Sequence, residues 1–92
     1  MKSGINGLTR SMAVEWASSN ILVNSISPGF VETELTKKSL TGQQQDEIKK
    51  QIPMKRFAQP EEIAEMVSFL SSNKNTYITG QNIIIDGGFT IV

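Results

Sequence analysis

Few residues in this chain are able to do chemistry. It has no histidine and no cysteine, which removes the usual general base, the usual metal ligand and every disulfide. Its one tyrosine, Tyr77, lies in the polar stretch before the last apolar run. Lys2, taken alone, is a solvated charge at the start of a helix. What remains is a corner. Ile21–Ser27 is an apolar run of strand length, β-branched at Ile21, Val23 and Ile26. Pro28-Gly29 breaks it, because proline has no N–H for a ladder and glycine adopts conformations other residues avoid. In an open α/β sheet the ligand crevice lies beyond the carboxyl ends of the strands. The turn Pro28–Thr33 is therefore where a bound ligand is expected, with an ordinary strand-ending turn as the alternative.

The elements that must hold this corner can be read on both sides of it. Met1–Ser19 reads as a helix with one apolar stripe of Ile5, Leu8, Met12 and Trp16. Gly4, Gly7 and Ser11 form a second face of small residues. Glycine inside a helix costs up to ~1 kcal/mol against alanine, so this face implies close approach by another backbone, either a sheet of the same chain or a helix of another subunit. Ser18-Ser19-Asn20 ends the helix. Leu35–Gln51 is polar, and Gly42–Gln51 forms a helix anchored only by Ile48 and Ile52. Such sparse anchoring suits a mobile flap over a site, or equally a solvated surface helix.

Pro60–Ser72 is the clearest helix. Pro60 takes the first helical position, and Glu61 and Glu62 sit in the first turn, where the dipole favours negative charge. Ile63, Met66, Val67 and Leu70 share one face, and Asn73 is expected as a left-handed cap. Gln81–Asp86 follows as a strand whose Ile83-Ile84-Ile85 run suits burial on both faces of a parallel sheet, and Asp86-Gly87-Gly88 ends it. Helix, strand, flap, helix, strand is an α/β order. It includes a crossover expected to be right-handed.

At 92 residues the chain is at most one small domain. Nine basic and nine acidic residues give a formal net charge of zero, so there is no basic footprint for nucleic acid or an anionic membrane. No apolar run approaches the roughly 18 residues of a membrane span, and the N-terminus lacks a signal-peptide core. The expectation is a soluble, cytoplasmic protein.

Taken together, several motifs in order resemble the C-terminal part of the short-chain dehydrogenase/reductase family, in the style of the β-ketoacyl-carrier-protein reductases. They are Lys2 with Gly4-Ile5-Asn6-Gly7-Leu8-Thr9-Arg10-Ser11, Ile21–Gly29, Ile52-Pro53-Met54-Lys55-Arg56, Pro60-Glu61-Glu62-Ile63-Ala64, and Thr79-Gly80-Gln81 leading to Asp86-Gly87-Gly88. The resemblance spans the whole chain and implies residues 1–92 as the C-terminal portion of a single Rossmann-type, doubly wound parallel sheet that binds NAD or NADP. It implies a carbonyl–alcohol oxidoreductase whose substrate is a small carbonyl or alcohol, or an acyl-carrier-protein thioester.

The resemblance also implies roles for particular residues. Lys2 matches the lysine of the family's Tyr-x-x-x-Lys motif, whose ammonium holds the nicotinamide ribose and favours the phenolate of the catalytic tyrosine. Pro28 and Gly29 match the turn packed against the nicotinamide. Val31 matches the position that bonds the carboxamide through its backbone, and Thr33 the one that meets the amide or the pyrophosphate. Leu35–Gln51 aligns with the substrate flap. The first helix, the last helix and the last strand match elements of the family's tetramer interfaces, which implies a homo-oligomer.

The motif tyrosine falls before residue 1, and Tyr77 is no substitute for it. The catalytic serine, the glycine-rich phosphate loop and the first nucleotide-binding half are likewise absent from these residues. The expectation is that the 92-residue chain alone is inactive, since mis-positioning alone costs orders of magnitude. The alternatives are a non-catalytic remnant serving as an oligomerisation or interaction module, and an independent nucleotide-binding module.

Overall fold

Serine and glycine at the start of the first helix are tolerated because twelve further helical residues follow, and the helix stops just before Ser18-Ser19-Asn20, residue types that favour helix ends. The computed structural model describes the backbone of residues 2–91 and the side chains of residues 4–90. The order is α1 (Lys2–Trp16), a 3-10 turn (Ala17–Ser19), β1 (Ser25–Pro28), α2 (Glu34–Ser39), α3 (Gly42–Gln51), α4 (Pro60–Leu70), β2 (Asn82–Ile85) and a closing 3-10 turn (Phe89–Ile91). The two strands pair in one sheet. Ser25 N–H donates to Gln81 O and Gly29 N–H to Ile85 O, each at 2.9 Å. Donor and acceptor advance together, so the strands are parallel. The chain divides into two compact units, Met1–Ser27 with Met66–Ile83 and Pro28–Glu65 with Ile84–Val92.

In the first unit, α1 buries Thr9 and Ala13 (6% and 3% exposed) rather than the expected stripe. Ile5 and Leu8 are 54% and 62% exposed, and Trp16 is also open. Helical periodicity identified residues that share a face, but the neighbouring face is the one that packs within the chain. Among the described residues, nothing beyond its own turn of helix lies within 4 Å of a β-carbon placed on Gly7, so the small-residue face is open there. Asn20 ends the helix at φ 61°.

The strand leaving this helix is shorter than Ile21–Ser27. The Val23 N–H is taken by Thr79 Oγ1, while the Asn24 side chain donates to Ile78 O and accepts from Gln81 N–H. Side chains share that stretch with one main-chain bond, from Gly80 N–H to Val23 O at 2.7 Å. On the sheet, Ser25 and Ser27 hydroxyls both donate to Asn82 Oδ1 at 2.9 Å. The helix C-terminus at Leu70 is closed by Ser71 and Ser72 hydroxyls on the carbonyls of Val67 and Phe69. Asn73 is not left-handed: among the described non-glycine residues, Asn20 and Lys55 are those with positive φ.

In the second unit, the core is Ile52 and Phe57, 2% and 3% exposed. Phe57 stacks on Phe30 with centroids 6.0 Å apart, and Phe30 meets Phe89 edge-on at 5.5 Å. A full capping box starts α3: Thr41 Oγ1 accepts from Gln44 N–H, and Gln44 Oε1 accepts from Thr41 N–H. The body of α3 buries no residue, as sparse anchoring predicts, but Ile52 just beyond it is sunk into the core. Ile84 of β2 stays 48% exposed, so the isoleucine run is not covered on both faces by the described residues. Among those residues, no helix is long and apolar enough to cross a membrane.

Candidate functional site

The corner is built entirely within the second unit. Beyond β1 the chain does not turn freely, because Val31 forms a parallel bridge with Ala58. Ala58 N–H donates to Phe30 O at 2.9 Å, and Glu32 N–H donates to Ala58 O at 2.8 Å. In a parallel bridge of this kind the N–H and C=O of the bridged residue point to the opposite side. The carbonyl of Val31 accepts from Thr36 Oγ1 at 3.0 Å. Its N–H has no partner among the described residues.

Thr33 follows in extended conformation as the N-cap of α2. Its Oγ1 accepts from Thr36 N–H at 3.2 Å and lies 3.0 Å from Thr36 Oγ1. Thr36 thus ties both Val31 and Thr33 to the first turn of α2. Sequence reading did not single out Thr36; the Thr33-x-x-Thr36 spacing at a helix start was the available signal.

Pro28 is exposed at the end of β1 and Gly29 is partly covered. Gly29 has no room for a side chain: a β-carbon there would stand 2.7 Å from Asp86 Cβ and 2.9 Å from Asp86 Cα. Asp86 in turn accepts from Gly88 N–H at 2.9 Å through Oδ1 and from Thr90 N–H at 3.1 Å through Oδ2. Partial burial pushes this carboxyl up, but bonds from the Thr90 side chain and from the N–H groups of Gly88, Thr90 and Phe89 outweigh it and leave its pKa lowered.

Behind the corner is a recess of about 100 Å³ lined by Phe30, Met54, Arg56, Ala58, Glu62 and Ile85, with Asp86 and Gly87 at its edge. Arg56 grips Glu62 bidentately, at 2.7 and 2.9 Å. Glu62 also accepts from Gln59 N–H at 2.8 Å, so one carboxylate closes the loop and caps α4. The hydrogen bond from Arg56, then that from Gln59, holds the Glu62 pKa at about 2. At the flap end, Lys49 Nζ lies 5.1 Å over the Phe57 ring, a cation–π contact.

Pro28, Gly29, Val31 and Thr33 therefore share one short, pinned segment. Lys2 belongs to α1 in the other unit, and its side chain lies outside the described residues. An N–H without a partner among the described residues, three positions after an exposed proline at the carboxyl end of a parallel strand, is a donor free to meet an acceptor on a ligand.

Residues 1–90 match a protein-family model described as enoyl-(acyl carrier protein) reductase. The chain is 50% identical over 90 residues to an NAD-dependent glycerol dehydrogenase of Listeria innocua serovar 6a, covering 98% of this chain and 35% of the relative. It is 44% identical over 90 residues to a 3-oxoacyl-[acyl-carrier-protein] reductase of Thermotoga maritima, covering 98% of this chain and 36% of the relative. Among solved structures it superposes on 4-hydroxyisoleucine dehydrogenase complexed with NADH with a TM-score of 0.88, at 38% identity over 99% of this chain and 38% of that one. The chain thus spans about a third of the length of the curated relatives it matches. Its fold is the C-terminal portion of a Rossmann-type α/β sheet.

Proposed function

The chain belongs to the short-chain dehydrogenase/reductase family, and on that premise we propose that it supplies the nicotinamide-side part of an NAD(P)-dependent oxidoreductase site interconverting a carbonyl and a secondary alcohol. The observation that carries this reading is the Val31 backbone just beyond β1: its carbonyl is engaged by Thr36 and its N–H has no partner among the described residues. When bound, the dinucleotide would give a hydride to the carbonyl or take one from the alcohol. This chain's own residues orient it. Pro28 and Gly29 form the wall against the nicotinamide ring, the Val31 N–H donates to its carboxamide, and Thr33 meets the amide or the pyrophosphate. Lys2, at the head of α1, holds the ribose hydroxyls and lowers the pKa of the motif tyrosine, as in the family's Tyr-x-x-x-Lys arrangement. Leu35–Gln51, which takes in α3 and all but the first residue of α2, is the substrate flap. Its lysines Lys37, Lys38, Lys49 and Lys50 suit an acidic partner such as an acyl carrier protein, and a small carbonyl or alcohol is the other substrate class.

In this reading residues 1–92 are one portion of a single nucleotide-binding domain, and the catalytic tyrosine and phosphate loop come from residues outside it. The chain alone then lacks turnover. The test is a chimera in which these residues replace the matching segment of the Thermotoga maritima reductase, assayed by NAD(P)H absorbance. A folded chimera that turns over, and loses turnover with Lys2→Ala, supports the reading. A folded chimera that binds no dinucleotide refutes it, as does turnover by the 92-residue chain alone.

The open stripe of α1, Ile5 and Leu8 above all, favours a homo-oligomer using family interfaces. It also supports a second reading, in which the chain is an assembly module without chemistry. A folded, dinucleotide-binding chimera separates the two.

A further inference from the structure

We propose that Asp86 is a positioning residue: its carboxylate locks the turn on which both the Pro28–Thr33 corner and the end of α3 are seated. The part of this proposal that concerns cofactor rests on the reading of the corner given above. Three contacts meet at this turn. On one side Gly29 lies against Asp86 with no space for a β-carbon and donates its N–H to Ile85 O at 2.9 Å. On the other, β-carbons on Gly87 and Gly88 would stand 3.1 Å from Ile52 Cγ2 and 3.0 Å from Pro53 Cγ. Gly87 O also accepts from Met54 N–H at 3.2 Å. The corner is thus seated on Ile85-Asp86 and the Ile52–Met54 segment on Gly87-Gly88, consecutive residues of one turn.

Those glycines cannot hold the turn by themselves. Both adopt left-handed conformations, at φ +64° and +93°, and glycine gives the chain the widest choice of alternatives. What fixes them is Asp86, whose two oxygens accept from Gly88 N–H and Thr90 N–H. With both oxygens held, the backbone of Asp86 is tied to that of Gly88 and Thr90, so the turn stays closed and the Asp86 main chain keeps its place against Gly29. Removing the carboxylate frees the turn and, through it, the corner and the Ile52–Met54 segment together. Misplacement of a positioning group by about 1 Å is enough to cost on the order of a hundredfold in rate.

The test uses Asp86→Ala and Asp86→Asn. Asparagine keeps an acceptor for Gly88 N–H and loses the one for Thr90 N–H. In the 92-residue chain, amide hydrogen exchange of Gly29 and Met54 should rise by about tenfold in Asp86→Ala relative to Ser25 and Gly80, and by less in Asp86→Asn, as local opening requires. In the chimera, Asp86→Ala should weaken dinucleotide binding about tenfold, and Asp86→Asn should recover most of it. Unchanged exchange, or an increase spread evenly over all amides, overturns the proposal in either variant. A local exchange change with unaltered dinucleotide affinity keeps Asp86 as the anchor of the turn and refutes its effect on cofactor. A wild-type chimera that binds no dinucleotide refutes the cofactor reading of the corner alone.

Discussion

Gly29 and Asp86 are in backbone-to-backbone contact: a β-carbon on the glycine would fall 2.7 Å from the aspartate's own and 2.9 Å from its Cα. Gly29 is not among the residues of positive φ, so alanine there meets a steric obstacle and no conformational one. The obstacle includes main chain, which cannot rotate away. Gly29→Ala should therefore destabilise the fold by ~1–3 kcal/mol, the usual cost of overpacking. Urea denaturation with an unchanged slope and a lowered midpoint is the expected result. An unchanged midpoint would mean that β1 and β2 slide apart at no cost.

Glu62 makes stability depend on acid. Its pKa is lowered to about 2 by the bonds from Arg56 and Gln59. A carboxyl lowered on folding stabilises the native state at pH values above its unfolded pKa, and that contribution is lost as pH falls through the folded value. The difference in thermal midpoint between wild type and Glu62→Gln should be full at neutral pH, start to shrink below the ordinary glutamate range, and vanish as the pH approaches 2. Added salt should narrow the difference at neutral pH, since both side chains are close to half exposed. A difference independent of pH would assign the effect to shape and not to charge.

The place of the corner was legible in the sequence, because a strand seldom runs far past Pro-Gly, although β1 includes Pro28 and the pairing reaches Gly29, whose N–H donates to Ile85 O. The start of α4 was legible from Pro60. The packed face of α1 was not. Ile5, Leu8, Met12 and Trp16 do share a side, but periodicity says nothing about whether a partner for that side lies in the same chain, and here Thr9 and Ala13 take the buried place. The Val31–Ala58 bridge and the Arg56–Glu62 grip were equally hidden. They join residues across irregular loops, where no repeat of 2 or 3.6 exists to mark them. Nor could sequence show that Asn24 and Thr79 side chains would take up much of the pairing ahead of β1, beside a single main-chain bond from Gly80 to Val23.

The flap's anchoring is uneven, and substitution should expose this. Ile52 is 2% exposed while Ile48 is only half-buried. Ile52→Ala should cost ~2–5 kcal/mol, the range for emptying a core site, and Ile48→Ala clearly less. Thr41→Ala, which removes the capping box of α3, should cost ~1 kcal/mol. Denaturation midpoints for the three variants rank them directly. Equal losses for Ile48 and Ile52 would show that α3 packs along its whole length.

Leu8 offers the sharpest separation of folding from assembly. Its side chain is 62% exposed, so Leu8→Glu removes little buried surface from the single chain and should leave the denaturation midpoint nearly unchanged. If the open face of α1 joins copies of the chain, the same substitution places a carboxylate in an apolar contact, where an unpaired charge is costly. Light scattering at micromolar concentration should then give an oligomer for wild type and a lower mass for Leu8→Glu. A monomer for both proteins would remove α1 from any self-interface of this chain. Equal oligomeric mass for both would move that interface elsewhere, with the half-exposed Ile84 of β2 as the next apolar surface to substitute.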